Sequence, residues 1–141
     1  MNEPTFQIAV IRGDGIGVDV TDATLAVIDA ARDRVGGFRL AYNDLIGGAG
    51  YYRESGREMA PGTEDAAGKA DAIFLGAIGL PEVRHKDGTE ISPHLRLREM
   101  FQLYAGVRPV KAYPNVPQRL ADPRAADIDM IILRESTEGL F

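Results

Sequence analysis

Short, almost uninterrupted apolar runs that end in glycine and hand over to helical periodicity leave this chain few ways to fold. The first run is "FQIAVI" (Phe6 to Ile11). Such continuity is what a strand covered on both faces requires. "GDGIG" (Gly13 to Gly17) breaks it, and a helix is predicted from about Val18 to Val35. Val20, Thr24, Ile28, Ala31 and Val35 recur at helical spacing, and Gly36-Gly37 stops the helix. "FRLAYNDL" (Phe38 to Leu45) reads as a second strand. Pro61 opens a short helix with Ala66, Ala67 and Ala70 on its apolar face. "DAIFLGAIG" (Asp71 to Gly79) reads as a third, buried strand that again ends in glycines. This alternation predicts an α/β fold with a largely parallel sheet and flanking helices.

The polar stretch Leu80 to Glu90, with "KDGTE", reads as a mobile loop. A helix is predicted to start at Ser92-Pro93, because serine caps helices well and proline suits the first helical position. Leu97, Met100, Phe101 and Tyr104 then share a face. Tyr104 to Tyr113 reads as extended, "PNVPQRLADP" as a connector, and Asp129 to Leu133 as a last short strand. "RESTEGLF" leaves that strand at its C-terminal end, which in open α/β sheets is the ligand-binding end.

Composition narrows the function. The 141 residues suffice for one domain, and 45% are apolar. The net charge is −5 with no basic cluster, which argues against a nucleic-acid surface. The absence of cysteine excludes a disulfide framework, a zinc-thiolate site and a cysteine nucleophile, and fits a reducing cytoplasm. No basic start precedes a long apolar core, and no apolar run approaches the ~20 residues of a membrane span. The expectation is a soluble, cytoplasmic protein.

Several residues suggest chemistry, each with a plainer reading beside it. "GDGIG" lies between strand and helix, where a dinucleotide phosphate loop would lie. The dinucleotide fingerprint needs G-x-G-x-x-G, however, and Gly17 comes one position early while Asp14 puts negative charge where phosphate would go. A tight structural turn is the better reading, and Asp44 alone is a weak ribose acid. Arg98 and Arg96 on the predicted helix, Arg108 in the extended segment and Arg134 ending the last strand are more informative. Arginine offers a permanent charge and a planar fork for carboxylates. Converging, Arg98, Arg108 and Arg134 would suit a substrate with two or three carboxylates; separately, each reads as a surface ion pair. Ser92 reads as a cap, His94 and His85 as exposed, and Glu135 and Glu138 as solvated charges. No Ser/His/Asp arrangement and no metal-ligand spacing stands out.

Together these segments resemble the β-decarboxylating dehydrogenases, the family of isocitrate, isopropylmalate, homoisocitrate and tartrate/malate dehydrogenases. "IAVIRGDGIGVDVTDATLAVIDAA" is similar to the family's N-terminus and "GAIGLP" to its third-strand turn. "LREMFQLYAGVRP" resembles its L-R-x9-R-P motif, and "IDMIILRESTEGLF" its R-E-x-T-x-G segment. The resemblance covers nearly the whole chain, in family order.

The resemblance implies NAD- or NADP-dependent oxidation of a 3-substituted malate with a divalent metal, Mg or Mn, followed by loss of CO2. It places Arg98, Arg108 and Arg134 on the carboxylates of a di- or tricarboxylate substrate. Ser92 falls where isocitrate-type members have a substrate-contacting serine, and His94 where those members have asparagine. The nicotinamide is expected beside Asp87, Glu90, Ile91 and Ser92, and GDGIG becomes a turn shaping the cofactor crevice. The resemblance further implies a homodimer, and an N-terminal portion of a two-domain fold: residues 1–105 as part of the first domain and 106–141 as crossover strands towards the second. The catalytic lysine, the metal-binding aspartates and the adenosine loop are then expected outside these 141 residues. Phe141 stands where the family has its proton-donating tyrosine, which keeps open a non-catalytic homologue.

Overall fold

The computed structural model describes residues 3–135. The chain divides into two compact units, one running to Leu97 and the other starting at Arg98. The first is built on three parallel strands, β1 (Thr5–Ile11), β2 (Arg39–Leu45) and β3 (Ala72–Leu75), in the order β2-β1-β3. Central β1 pairs with β2 from Thr5↔Arg39 to Ile11↔Leu45, and with β3 from Ile8↔Ala72 to Ile11↔Leu75. Its position accounts for its composition: Ala9, Val10 and Ile11 are fully buried, and a polar residue there would lack a partner on either face. β3 stops at Leu75 rather than Gly79, because the chain turns to meet the glycine loop. Gly76 N still donates to Ile11 O (2.7 Å), and Asp14 N then donates to Ala77 O (2.8 Å).

Helix α1 (Ile16–Val35) follows β1 as expected, and Thr24 and Ile28 of its predicted inner face are half-buried, but the buried stripe is rotated. Gly17 and Thr21 are inside, whereas Val20 and Val35 are 49% and 75% exposed and Ala31 is exposed. The cause is a close approach. A Cβ on Gly17 would fall inside the van der Waals envelope of the Ala77 carbonyl, so glycine lets the helix backbone lie against the chain after β3. That contact fixes the helix rotation and turns the valines outward. Gly13, at φ 78°, makes the same approach to Ala77 in a backbone conformation that favours glycine.

Helix α2 (Ala49–Ser55) is not foreseen by the sequence reading, and α3 (Thr63–Lys69) starts after Gly62 rather than at Pro61. No side chain of its own neighbourhood caps α2. Its first two amides instead donate to Asp14: Ala49 N to Oδ2 and Gly50 N to Oδ1, both at 2.7 Å. Gly79 N adds a third bond to Oδ2 (3.0 Å). Asp14, only 8% exposed, thus ties the glycine turn, the start of α2 and the end of the β3 turn into one knot.

Helix α4 (Pro93–Met100) carries the chain from one unit to the other and ends earlier than predicted. Gln102 takes a left-handed φ of 50°, and Leu103 N donates back to Arg98 O (2.8 Å). This closing pattern turns the chain out of the helix. Tyr104 therefore lies beyond the helix and is exposed. In the second unit β4 (Ala105–Lys111) pairs antiparallel with β5 (Asp129–Glu135), and a short 3-10 helix (Pro123–Asp127) lies between them in sequence. The last strand is thus in a separate two-stranded sheet, so the ligand-end rule for parallel sheets does not apply to Arg134. Glu138 and Phe141 lie outside the described residues.

Two stability predictions follow from the first unit. Asp14→Asn keeps the shape but turns an amide NH2 towards backbone donors, and should lower the unfolding free energy by about 2–3 kcal/mol in urea titration. Thr21 is fully buried with no partner for its hydroxyl among the described residues. Thr21→Val removes that polar atom at constant shape and should raise stability by about 1 kcal/mol in the same titration.

Candidate functional site

Residues 80–92 form an internally bonded hairpin, not an open loop. Arg84 and Glu90 bridge antiparallel, His85 N donates to Thr89 O (2.9 Å) and Gly88 N to His85 O (2.9 Å). The Arg84 guanidinium reinforces it, reaching Glu90 Oε1 (3.1 Å) and Gly88 O (3.2 Å). At the tip, Asp87 Oδ1 accepts from Thr89 N (3.0 Å) and Thr89 Oγ1 (2.7 Å). These bonds, the backbone one first, hold the Asp87 carboxyl below its ordinary range.

At the base of the hairpin Val83 and Ile91 are buried with Ala49, and Tyr52 and Leu80 pack against them. Ile91 therefore spends its side chain on the core and leaves only its backbone for a ligand. Glu58 Oε1 meets both limbs: His85 Nε2 at 2.8 Å and Ser92 N at 3.0 Å. The His85 ring stands edge-on to Tyr52 (centroids 4.9 Å apart). His85 is thus anchored rather than a solvated side chain. Ser92 occupies the cap position, and its carbonyl accepts from Leu95 N (3.0 Å). Its hydroxyl has no partner among the described residues and is available to a ligand. His94 is half-buried in the first turn of α4, not exposed.

Among the arginines, Arg96 is engaged with Glu64 (2.5 Å). Arg98, in the last turn of α4, is half-buried and has no carboxylate partner among the described residues, and Arg108 has none either. The β4–β5 register supplies what spacing alone does not. Arg108 lies opposite Ile132 and Arg134 opposite Gly106, so the two arginines share one face, one diagonal step apart. Diagonal neighbours in such a ladder are roughly 7–8 Å apart, a separation that one small dicarboxylate can bridge. The other face carries Val107 opposite Leu133 and Pro109 opposite Ile131, then the Lys111–Asp129 pair (2.7 Å). Glu135 ends β5.

GDGIG is a bonded turn: Asp14 N donates to Ala77 O, Gly17 N to Asp14 O and Val18 N to Gly15 O, and the buried Asp14 carboxylate adds negative charge where a phosphate would lie. Asp44 is paired with Arg12 (2.8 Å), which also holds Asp22. Among the described residues no three His, Cys, Asp or Glu side chains gather as a metal would require. The described part therefore does not fit a divalent metal by itself. Sequence reasoning missed Glu58, Tyr52 and α2. Glu58 looks like any surface glutamate, and only its distance to two limbs of another segment distinguishes it.

The sequence profile described as isocitrate/isopropylmalate dehydrogenase matches residues 7–141. D-malate dehydrogenase (decarboxylating) of Escherichia coli K12 is 35% identical over 138 residues, covering 97% of this chain and 38% of that protein. The 3-isopropylmalate dehydrogenase of Heyndrickxia coagulans is 38% identical, covering 96% and 38%. The crystal structure of a β-decarboxylating dehydrogenase from Thermococcus kodakarensis superposes with a TM-score of 0.68 at 30% identity, covering 96% of this chain and 35% of that one. The chain thus spans about 38% of the length of the curated relatives it matches.

The Asp87 turn gives a pH prediction with a defined sign. A carboxyl held low in the folded chain stabilises the turn above the ordinary aspartate value, and that support is lost as pH falls through the lower, folded value. The Thr89 amide resonance should therefore titrate with a midpoint below about 3.9. A midpoint at or above that value would show that the turn bond is not formed.

Proposed function

The chain belongs to the isocitrate/isopropylmalate dehydrogenase family, and from that membership we propose that it serves NAD(P)- and divalent-metal-dependent oxidative decarboxylation of a malate-type 2-hydroxy acid. An isopropylmalate-like substrate is the first choice; tartrate, malate and isocitrate are the alternatives. The observation that carries this reading is the shared face of Arg108 and Arg134, with Arg108 free of any carboxylate partner among the described residues. Two guanidiniums on one face suit an oxyanion that accepts bidentate bonds, and family membership selects carboxylate among such anions.

Each part of the chain has a defined task in this proposal. Arg98, Arg108 and Arg134 bind and orient the substrate carboxylates and hold the C2 carbinol in place for hydride loss. The Ser92 hydroxyl and the half-buried His94 meet the C3 substituent. The tip and second limb of the hairpin, Asp87, Glu90 and the backbone at Ile91 and Ser92, lie alongside the nicotinamide. When bound, the metal supplies Lewis-acid stabilisation of the enolate left by CO2 loss. Its ligands are assigned to residues beyond this chain, as is the homodimer contact that completes the site. These 141 residues alone are accordingly proposed to be inactive, and dicarboxylate-dependent nucleotide reduction by the isolated chain would refute that.

A second reading, a non-catalytic dicarboxylate-binding homologue, is favoured by Phe141 in place of the family's tyrosine. One assay separates the two: nucleotide reduction by the protein bearing this chain with isopropylmalate, D-malate, tartrate and isocitrate, each with NAD and NADP. Turnover supports the enzyme; saturable dicarboxylate binding without turnover supports the homologue.

Arg108→Ala should weaken transition-state binding, read from kcat/KM, by ~2–5 kcal/mol. Lys111→Ala, on the opposite face of the same strand, should leave kcat/KM within about threefold. Equal effects of the two substitutions would remove Arg108 from the site.

A further inference from the structure

We propose that Glu58 is a positioning residue: one oxygen of its carboxylate fastens both limbs of the 83–92 hairpin and so fixes Ser92 and the first turn of α4. Its side chain is four-fifths buried, at 19% exposure, although nothing in its sequence neighbourhood marks it as a core position. Oε1 lies 2.8 Å from His85 Nε2 and 3.0 Å from Ser92 N, residues on opposite sides of the turn. Apart from the Leu95 N bond to Ser92 O, the hairpin's other polar bonds join residues 80–92 to each other and do not fix its placement. Its apolar base, Val83 and Ile91, gives cohesion but no direction. The Glu58 contacts are the directional ones, and bonds to an ionised carboxylate are roughly twice as strong as neutral ones.

The mount is rigid as well. The Glu58 carbonyl accepts from Gly48 N (2.8 Å), and Met59 beside it is buried and bridges to Gly47. Gly48 leads directly into the two amides held by Asp14. The carboxylate that sets Ser92 is therefore one link from the knot that closes the glycine turn. A cleft of about 590 Å³ runs along one side of the clasp, lined in part by Tyr52, Arg57, Glu64 and Arg96. The functional value of this placement rests on the proposed role of Ser92 and the hairpin; the clasp itself does not.

The test is amide hydrogen exchange on the whole chain, read at Ser92 against Val10 and Ile11 of the central strand. In the unaltered protein the Ser92 amide should be protected although no helical carbonyl is available to it. An unprotected Ser92 overturns the proposal without any variant. Glu58→Ala should speed Ser92 exchange about 10- to 100-fold while the strand amides stay within about twofold. Glu58→Gln, which keeps an acceptor oxygen, should recover most of the protection. Unchanged Ser92 exchange in Glu58→Ala, or an equal rise at the strand amides, overturns the proposal. In protein that turns over the hydroxy acid, Glu58→Ala should raise KM about tenfold with kcat within about threefold. Absence of turnover in the unaltered protein would sink the functional reading and leave the exchange result standing.

Discussion

Asp14 accepts three backbone N–H bonds from two segments, around residues 49 and 79, that lie far from it in sequence. Burying a carboxylate is costly unless donors replace its water, and three amides, two of them the first of a helix, do so. The surrounding features are conditions for that arrangement. Gly13 and Gly17 let the chain come close enough to Ala77, the close approach rotates α1, and the rotation decides which of its residues are inside. Without the carboxylate, α2 has no cap and the turn after β3 keeps only its backbone bonds to Ile11 and Asp14.

How much of this was legible in the sequence depended on how local the cause was. The three parallel strands, α1 and the α/β class could be read, because apolar continuity and glycine stops act within a few residues. The inward face of α1 could be read only in part, at Thr24 and Ile28, since a glycine contact with Ala77 rotated the helix and left Val20 and Val35 outside. α2 was invisible for a related reason: its cap stands far from it in sequence. The order of the motifs was enough to reach the family, yet the clasp at Glu58 left no local trace. What the sequence withheld was set by contacts across the fold rather than along the chain.

The residues proposed to meet ligand sit on two kinds of support. Ser92 and the hairpin tip stand on a turn tied to the glycine knot through Glu58. Arg108 and Arg134 stand on an antiparallel ribbon whose register sets their spacing. In both cases a backbone constraint sets the point from which the side chain extends before any ligand arrives. Pre-set charges of this kind avoid part of the ordering cost that binding otherwise incurs.

The ribbon's alternation has one more consequence. One face carries Val107, Leu133, Pro109, Ile131 and the Lys111–Asp129 pair, and the other carries the two guanidiniums with Ile132, Val110 and Met130. Alternation along the paired strands alone therefore sets which face presents the arginines. A slip of one residue in the pairing would exchange the faces of a whole strand. Arg134 would then leave the face that holds Arg108, and the two guanidiniums could no longer meet one ligand. The proposed binding surface therefore depends on a single pairing register.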